Sequence, residues 1–350
     1  MTPYTLPDGN VQIAFSGGRT SAYMLHQILE ANGSLPTGTV AIFTNTGREM
    51  PETLDFIQEC GSRWGIPIVW LEYAPRRAIT DEELSLVAKI FGPEYAARLA
   101  DWWRPTKSGF RVVSHNSAAR HGEPFMALVL SRKFLPNQNA RFCTAELKVR
   151  TAKRYIRSVL GWDHWTNAIG IRADEAHRSV KPPKDRWTNW RPLVEAKVSK
   201  RNVASFWRSQ PFDLRLPNVK GNCWLGNCDG CFLKAESSVA ALHRDFSERG
   251  LWWEHLEAWM AEYWPSLSPA QRLRRILTAE PEFGAKLREA YGRPIRPSVI
   301  RSIVNNPRSA AQFSKRYSRA DLRNTIERQG DWIFNVEGYH CQVDGGECMG

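Results

Sequence analysis

Residues 11–15, Val-Gln-Ile-Ala-Phe, form a short apolar run of strand-forming residues that stops at Ser16-Gly17-Gly18-Arg19-Thr20-Ser21. Behind the glycines, Ala22, Leu25, Ile28 and Leu29 recur at helical spacing. A strand that passes through a glycine turn straight into a helix restricts the fold, because a following parallel strand needs a right-handed crossover. Two more strand patterns, Thr39–Thr44 and Pro67–Tyr73, alternate with a helix that Pro51 opens and that runs to about Arg63. This order predicts an α/β fold with a doubly wound parallel sheet. Ligands on such sheets bind at the carboxyl ends of the strands, where both the 16–21 turn and Asn45-Thr46-Gly47 fall.

Downstream the pattern predicts helices over Glu82–Leu99 and Phe125–Phe134, a basic amphipathic helix over Thr144–Leu160, and a strand over Thr166–Arg172. Residues 181–217 are rich in Pro, Trp and Arg and read as a long insertion or lid rather than core. Beyond Ala235 the chain turns mostly helical. The expected organisation is a nucleotide- and metal-binding domain over 1–235 and a helical region with a cysteine-bearing tail over 236–350.

The net charge of +12 is concentrated: residues 141–220 hold 18 Lys or Arg against 7 Asp or Glu, while 236–350 are nearly balanced at 16 against 15. Such a basic stretch suits a polyanionic ligand, or else forms a solvated face. No apolar run approaches the roughly 18–20 residues of a membrane span, and the N-terminus lacks an export signal. Seven cysteines, an odd number grouped late in the chain, argue against a secreted disulfide framework. A cytoplasmic protein with no membrane partner is expected.

The Ser16–Ser21 turn has the makings of a phosphate cradle. Gly17 and Gly18 let the backbone approach a polyphosphate, the hydroxyls of Ser16, Thr20 and Ser21 can donate, and the helix N-terminus favours negative charge. Ser-Gly-Gly-Arg-Thr-Ser resembles the SGGxDS loop of the PP-loop ATP pyrophosphatases and their relatives, the adenylyl-sulfate and phosphoadenylyl-sulfate (PAPS) reductases. Thr20 departs from it where many ATP-using members carry Asp. Asn45-Thr46-Gly47, followed by Glu49 and Glu52-Thr53, resembles the segment after the second strand of the reductases. Gly170-Ile171-Arg172-Ala173-Asp174-Glu175 resembles their G-x-R-x-x-E segment. Arg172 and Arg178 there are suited to bidentate contact with phosphate or sulfate, although Arg172 could equally pair with Asp174 or Glu175. The resemblance implies a PP-loop, adenine nucleotide alpha hydrolase-like fold. It also implies an adenine nucleotide, ATP or adenylyl sulfate/PAPS, with Mg as an accompanying ion, held by residues 16–21, 45–47, Gly170, Arg172 and Arg178.

Cys143, ahead of the basic helix, and the C-x-x-C of Cys228 and Cys231 resemble the iron–sulfur ligand segments of adenylyl-sulfate reductases. Trp252-Trp253-Glu254 is similar to the tryptophan-rich stretch that follows their cluster. A [4Fe-4S] cluster on Cys143, Cys228 and Cys231, with Cys223 as nearest fourth candidate, is the expectation; a tetrahedral Cys₄ zinc site is the alternative. Cys60 reads as a core residue. In the tail, Glu347-Cys348 matches part of the E-C-G segment that carries the reductases' nucleophile, which makes Cys348, with Arg172, the catalytic candidate; Cys341 is a second tail thiol.

The resemblance covers about residues 11–255. It implies a PAPS reductase-like iron–sulfur enzyme engaged either in sulfonucleotide reduction with a thiol reductant, or in ATP-dependent sulfur transfer to a nucleic acid with a sulfur donor protein. A non-catalytic nucleotide- or nucleic-acid-binding module with structural zinc is the alternative.

Overall fold

The computed structural model describes residues 2–138, 140–177, 186–219, 222–279, 285, 311–314 and 316–329. Its centre is a six-stranded sheet of β1 (Val11–Ala14), β2 (Thr39–Asn45), β3 (Ile68–Tyr73), β4 (Phe110–Val113), β5 (Trp165–Ala168) and β6 (Trp187–Trp190). The order across the sheet is β4-β3-β2-β1-β5-β6; all neighbours are parallel except β4, which is antiparallel to β3. Strand order reverses between β1 and β5, so the crevice at their carboxyl ends is the topological switch point.

Alternate residues of the inner strands feed two cores. Val11, Ile13, Phe15, Ala41 and Phe43 pack with helices α1 (Arg19–Asn32) and α2 (Pro51–Trp64). Ile42, Leu71 and Trp165 pack on the other face with Ala152, Tyr155 and Ile156 of helix α6 (Arg150–Ser158). A strand buried on both faces needs apolar residues at nearly every position, which is why residues 11–15 and 39–44 read as continuous runs. Cys60 lies inside the first core, as expected.

The helix expected over Glu82–Leu99 is two: α3 (Asp81–Phe91), held at its start by a Thr80/Glu83 capping box, and α4 (Pro93–Trp102). Gly92, at φ +90, and Pro93 cannot continue the first helix, so the chain turns and restarts on Pro93. Helix α5 (Glu123–Arg132) is buried along most of its length. Ahead of α6, Thr144–Val149 form a π-helical turn rather than α-helix. The 181–217 stretch corrects the lid reading: besides β6 it supplies α7 (Pro192–Glu195) and α8 (Lys200–Ser209), and Leu193, Trp207 and Phe212 enter the core. Its tryptophans mark an edge strand and a docking helix. A short hairpin, β7 (Asn218–Val219) and β8 (Asn222–Cys223), leads to α9 (Glu236–Asp245), α10 (Ser247–Tyr263), α11 (Pro269–Ala279) and α12 (Arg319–Gln329). No helix among the described residues is long and apolar enough to cross a membrane.

His243 on α9 is a buried imidazole whose two ring nitrogens have no hydrogen-bond partner among the described residues. Burial, then Arg319 nearby, pulls its pKa from 6.5 to about 4. Between those values the unfolded chain binds more protons than the folded one, so this group's contribution is present above pH 6.5 and is lost as pH falls towards 4. The shift corresponds to roughly 3 kcal/mol. His243→Leu should therefore gain on the wild type steadily from pH 6.5 to 4 in urea denaturation midpoints; a gap independent of pH would remove His243 as the cause.

Candidate functional site

The turn after β1 is built for close backbone approach. Gly17 has φ +81, and a Cβ there would lie 2.7 Å from Ile57 Cδ1 and 2.8 Å from Thr53 Cγ2, so the first turn of α2 packs directly against the loop. Gly18 is the N-cap of α1, with no side-chain cap and no acidic residue in the first turn. The leading N–H groups of α1 thus remain without an anionic side chain, and the helix end carries partial positive charge. The Ser16 and Ser21 hydroxyls lie 3.0 Å apart, and Ser21 Oγ donates to Gly18 O at 3.0 Å.

Arg19 turns away from the loop's mouth. Its Nε and Nη2 donate to Asp213 at 2.7 and 2.5 Å, and its carbonyl accepts from Trp207 Nε1 at 2.9 Å, fastening α8 and the strap after it to α1. Thr20 is buried and accepts from Arg172 Nη1 at 3.2 Å. Arg172, also buried, pairs with both Asp174 (3.0 Å) and Glu175 (3.1 Å). Its ion pairs and its reach to the loop therefore coexist: the carboxylates aim the guanidinium at Thr20. At Gly170 a Cβ would lie 3.3 Å from Ser21 Cα, so glycine lets the end of β5 cross close beneath α1.

Between these strand ends lies a cleft with about 760 Å³ of empty space, part of it open to solvent. Ser16, Ser21 and Gly170 line one part; Gln12, Asn167, Trp165 and Trp187 line another, with Lys148 from the π-helical turn. Trp165 and Trp187 stack at 5.4 Å between ring centres, and Trp165 Nε1 donates to Gln12 Oε1 at 3.2 Å. Gln12 is in register with Asn167, and Asn167 with Asn189, so three carboxamides form a row across β1, β5 and β6. Asn167 Oδ1 and Asn189 Oδ1 are buried without hydrogen-bond partners among the described residues.

Asn45, Thr46 and Gly47 stand at the end of β2, but their polar groups engage the protein. Asn45 Nδ2 donates to Glu72 Oε1 (2.7 Å) and Ala119 O (2.8 Å), and its Oδ1 accepts from Gly47 N. Thr46 donates from its backbone and hydroxyl to Glu49. Thr44, rather than these three, lines the cleft.

The neighbouring Arg48 was not marked by any sequence motif, and it organises the C-x-x-C loop. It is buried, donates to Asp229 from Nε (3.3 Å) and Nη2 (2.7 Å), and stacks 4.5 Å from the Trp252 ring centre. Arg249 also pairs with Asp229, and Trp253 Nε1 donates to it at 2.8 Å. Although burial alone would raise the Asp229 pKa, the two guanidiniums and the indole hold it below its ordinary range. The Trp252-Trp253 pair thus clamps the loop between Cys228 and Cys231. The signal was present in the letters as a lone acid inside the C-x-x-C and an arginine beside Gly47.

The four candidate thiols do not assemble. Cys228 Sγ is 3.2 Å from Thr46 Oγ1. Burial pushes its thiol up to about 12, Glu49 adds to this, and Lys148 and Thr46 oppose it; Cys143 is near enough to contribute. Cys231 is buried, its N–H donating to Cys228 O. Cys223 belongs to another neighbourhood, where its charge acts on Arg19 and Lys200. Among the described residues no group of three or more His, Cys, Asp or Glu could hold a metal ion. No chemical step is derived through a metal. Arg178, Cys341 and Cys348 lie outside the described residues.

Residues 10–91, from β1 through α3, match the phosphoadenosine phosphosulfate reductase domain family. The chain is 29% identical over 242 residues to the "Uncharacterized nin region protein ORF290" of Escherichia phage lambda, covering 68% of this chain and 70% of that protein. The crystal structure of a PAPS reductase from Candida auris, a phosphate complex, aligns with 61% of this chain and 82% of its own at 15% identity and a TM-score of 0.33. The matched segment carries the glycine turn and the β1 side of the switch-point crevice, so this part of the chain is similar to the phosphoadenosine phosphosulfate reductase domain.

Proposed function

We propose that this chain is an enzyme that binds an adenine nucleotide in the switch-point cleft and carries out sulfur chemistry on it. The observation that carries the reading is the uncapped N-terminus of α1, free of acidic side chains and opening beside Gly17 and Gly18. Phosphates would be held by those N–H groups and the Ser16 and Ser21 hydroxyls, with Lys148 supplying positive charge. Arg172 positions Thr20 and the loop.

Sulfonucleotide reduction is the first reading, supported by the likeness of residues 10–91 to the phosphoadenosine phosphosulfate reductase domain. A protein thiolate, Cys348 in the reading above, attacks the sulfur of an adenylyl sulfate; an S–S bond forms as the bond from sulfur to the phosphate oxygen breaks, and AMP or its 3′-phosphate leaves. A dithiol reductant then attacks the cysteine sulfur, releasing sulfite and ending as a disulfide. ATP-dependent sulfur transfer to a nucleic acid is the second reading. It is favoured by the half-buried Trp187 and Trp190 on the edge strand, with Lys153 5.8 Å over Trp187, a mixture of rings and cations that suits single-stranded polynucleotide.

Anaerobically prepared full-length protein tests both. Under reduction, sulfite release from an adenylyl sulfate should vanish when residues 341–350 are deleted, with nucleotide affinity unchanged. Under transfer, ATP is converted to AMP and pyrophosphate only with acceptor and sulfur donor, and the deletion leaves this intact. Absence of both reactions would leave a nucleotide-binding module.

A further inference from the structure

A second cavity, sharing no lining residue with the nucleotide cleft, opens between α4, the segment before α5 and the α9–α10 junction. It encloses about 1030 Å³ of space, much of it open to solvent, and its walls include Arg48, Arg120, Arg249, His121 and Trp252. Arg48 and Arg249 spend Nε and Nη2 on Asp229, Arg249 O and Glu49 O. Arg120 spends Nη2 on His115, chiefly its carbonyl at 2.9 Å. In all three, Nη1 has no protein acceptor among the described residues, yet none is among the atoms sealed from solvent without a partner. Three guanidinium groups thus line one cavity, each with an Nη1 that no described residue engages.

The local charge is unbalanced. Asp229 is one carboxylate facing two guanidiniums, and Arg120 meets a carbonyl and the His115 imidazole, which itself pairs with Asp55. Of the nearby acids, Asp245 pairs with Arg244, Glu123 accepts from His121 N while burial raises its pKa, and Glu248 is exposed on the rim. Burial first, and then Arg98, Arg48, Arg249 and Arg120, lower the His121 pKa, which leaves its ring as a neutral donor. Trp252 Nε1 is buried in the wall beside the Tyr95 hydroxyl.

We propose that this cavity is a second, separate binding site for a tetrahedral oxyanion, phosphate or sulfate, received on the Nη1 edges of Arg48, Arg120 and Arg249. Guanidinium edges match the oxygen spacing of such anions and form charge-assisted hydrogen bonds that a lone ammonium cannot reproduce. The site is independent of the nucleotide reading, since it uses none of the same residues.

The test is calorimetric titration of the full chain with inorganic phosphate at constant ionic strength in chloride. It compares wild type, Arg120→Gln and Gly18→Val, with a parallel titration of single-stranded oligonucleotide. Arg120 is chosen because its guanidinium takes no part in the Asp229 clamp. Saturable phosphate binding should persist in Gly18→Val and weaken at least tenfold in Arg120→Gln, whose ATP affinity stays unchanged. Arg120→Lys, which keeps the charge and serves as the variant should Arg120→Gln unfold, should bind with intermediate affinity. The proposal is overturned if wild type shows no saturable phosphate binding. It is equally overturned if binding is lost in Gly18→Val but kept in the Arg120 variants, or if those variants lose oligonucleotide binding only.

Discussion

Gly18→Val is expected to lower affinity for ATP or an adenylyl sulfate by a factor of about one hundred or more, roughly 3 kcal/mol, while the protein stays folded. Gly18 lies at φ −94 and ψ 161, backbone that any residue adopts, so the substitution introduces no strained dihedral. Exchanging glycine for valine at an N-cap costs the helix only about 1 kcal/mol. What changes is the approach: a branched side chain stands before the first N–H groups of α1, where a phosphate needs to touch backbone. Gly17→Val is the contrasting variant. At φ +81, with Ile57 and Thr53 within 2.8 Å of the added carbon, it should fail in folding as well as binding. Calorimetry paired with thermal denaturation separates the two, and Gly18→Val protein that binds nucleotide normally would remove the loop from the site.

The second large effect is one of stability. Asp229→Asn replaces the carboxylate that, among the described residues, pairs with both Arg48 and Arg249, leaving two guanidiniums, one of them buried, without this counter-ion. Breaking a buried pair from one side typically costs about 3–5 kcal/mol, because the desolvated charge stays behind. Asn still accepts one hydrogen bond, so Trp253 Nε1 can keep a partner and the loss is chiefly electrostatic. A fall of this size should appear in the urea midpoint and as accumulation of insoluble protein. The part-buried Arg19–Asp213 pair gives the scale: Asp213→Asn should cost less, about 1 kcal/mol. Equal effects for the two would mean that the clamp on the C-x-x-C loop is not the keystone described above.

The central strands and the glycine turn after β1 were legible because their signals are local. Val11–Phe15 is apolar at nearly every position since both faces are buried, and the glycines follow at the strand's end. The Glu82–Leu99 helix was misjudged at Gly92-Pro93, where one dipeptide ends one helix and starts another without breaking the apolar spacing. Strand β4 is four residues long and antiparallel, with Val112 exposed, too short for alternation to register. The 181–217 stretch misled because Trp, Pro and Arg suggest surface, whereas Trp207 is held in place by Phe56, Phe206, Phe212 and the Arg19 carbonyl, partners set by tertiary packing. Motif resemblance drew attention to Asn45-Thr46-Gly47 and to the cysteines. It did not reveal that Asn45 and Thr46 face inward or that Arg48 and Asp229 join these segments, since partners 181 residues apart leave no spacing to read.

That separation also bears on how the chain reaches its native state. Strands β1 to β3 and the two helices between them close through short crossovers, whereas the Arg48–Asp229 and Arg249–Glu49 contacts bring together segments 181 and 200 residues apart. Contacts of such span pay loop-closure entropy before they return any energy, so they form late. The first half of the chain should consequently collapse with Arg48 still hydrated, and the cysteine loop should be drawn in only when α10 docks. In pulse-labelled hydrogen exchange, amides of β1–β3 should gain protection before those of residues 228–231; the reverse order would mean that the clamp nucleates folding.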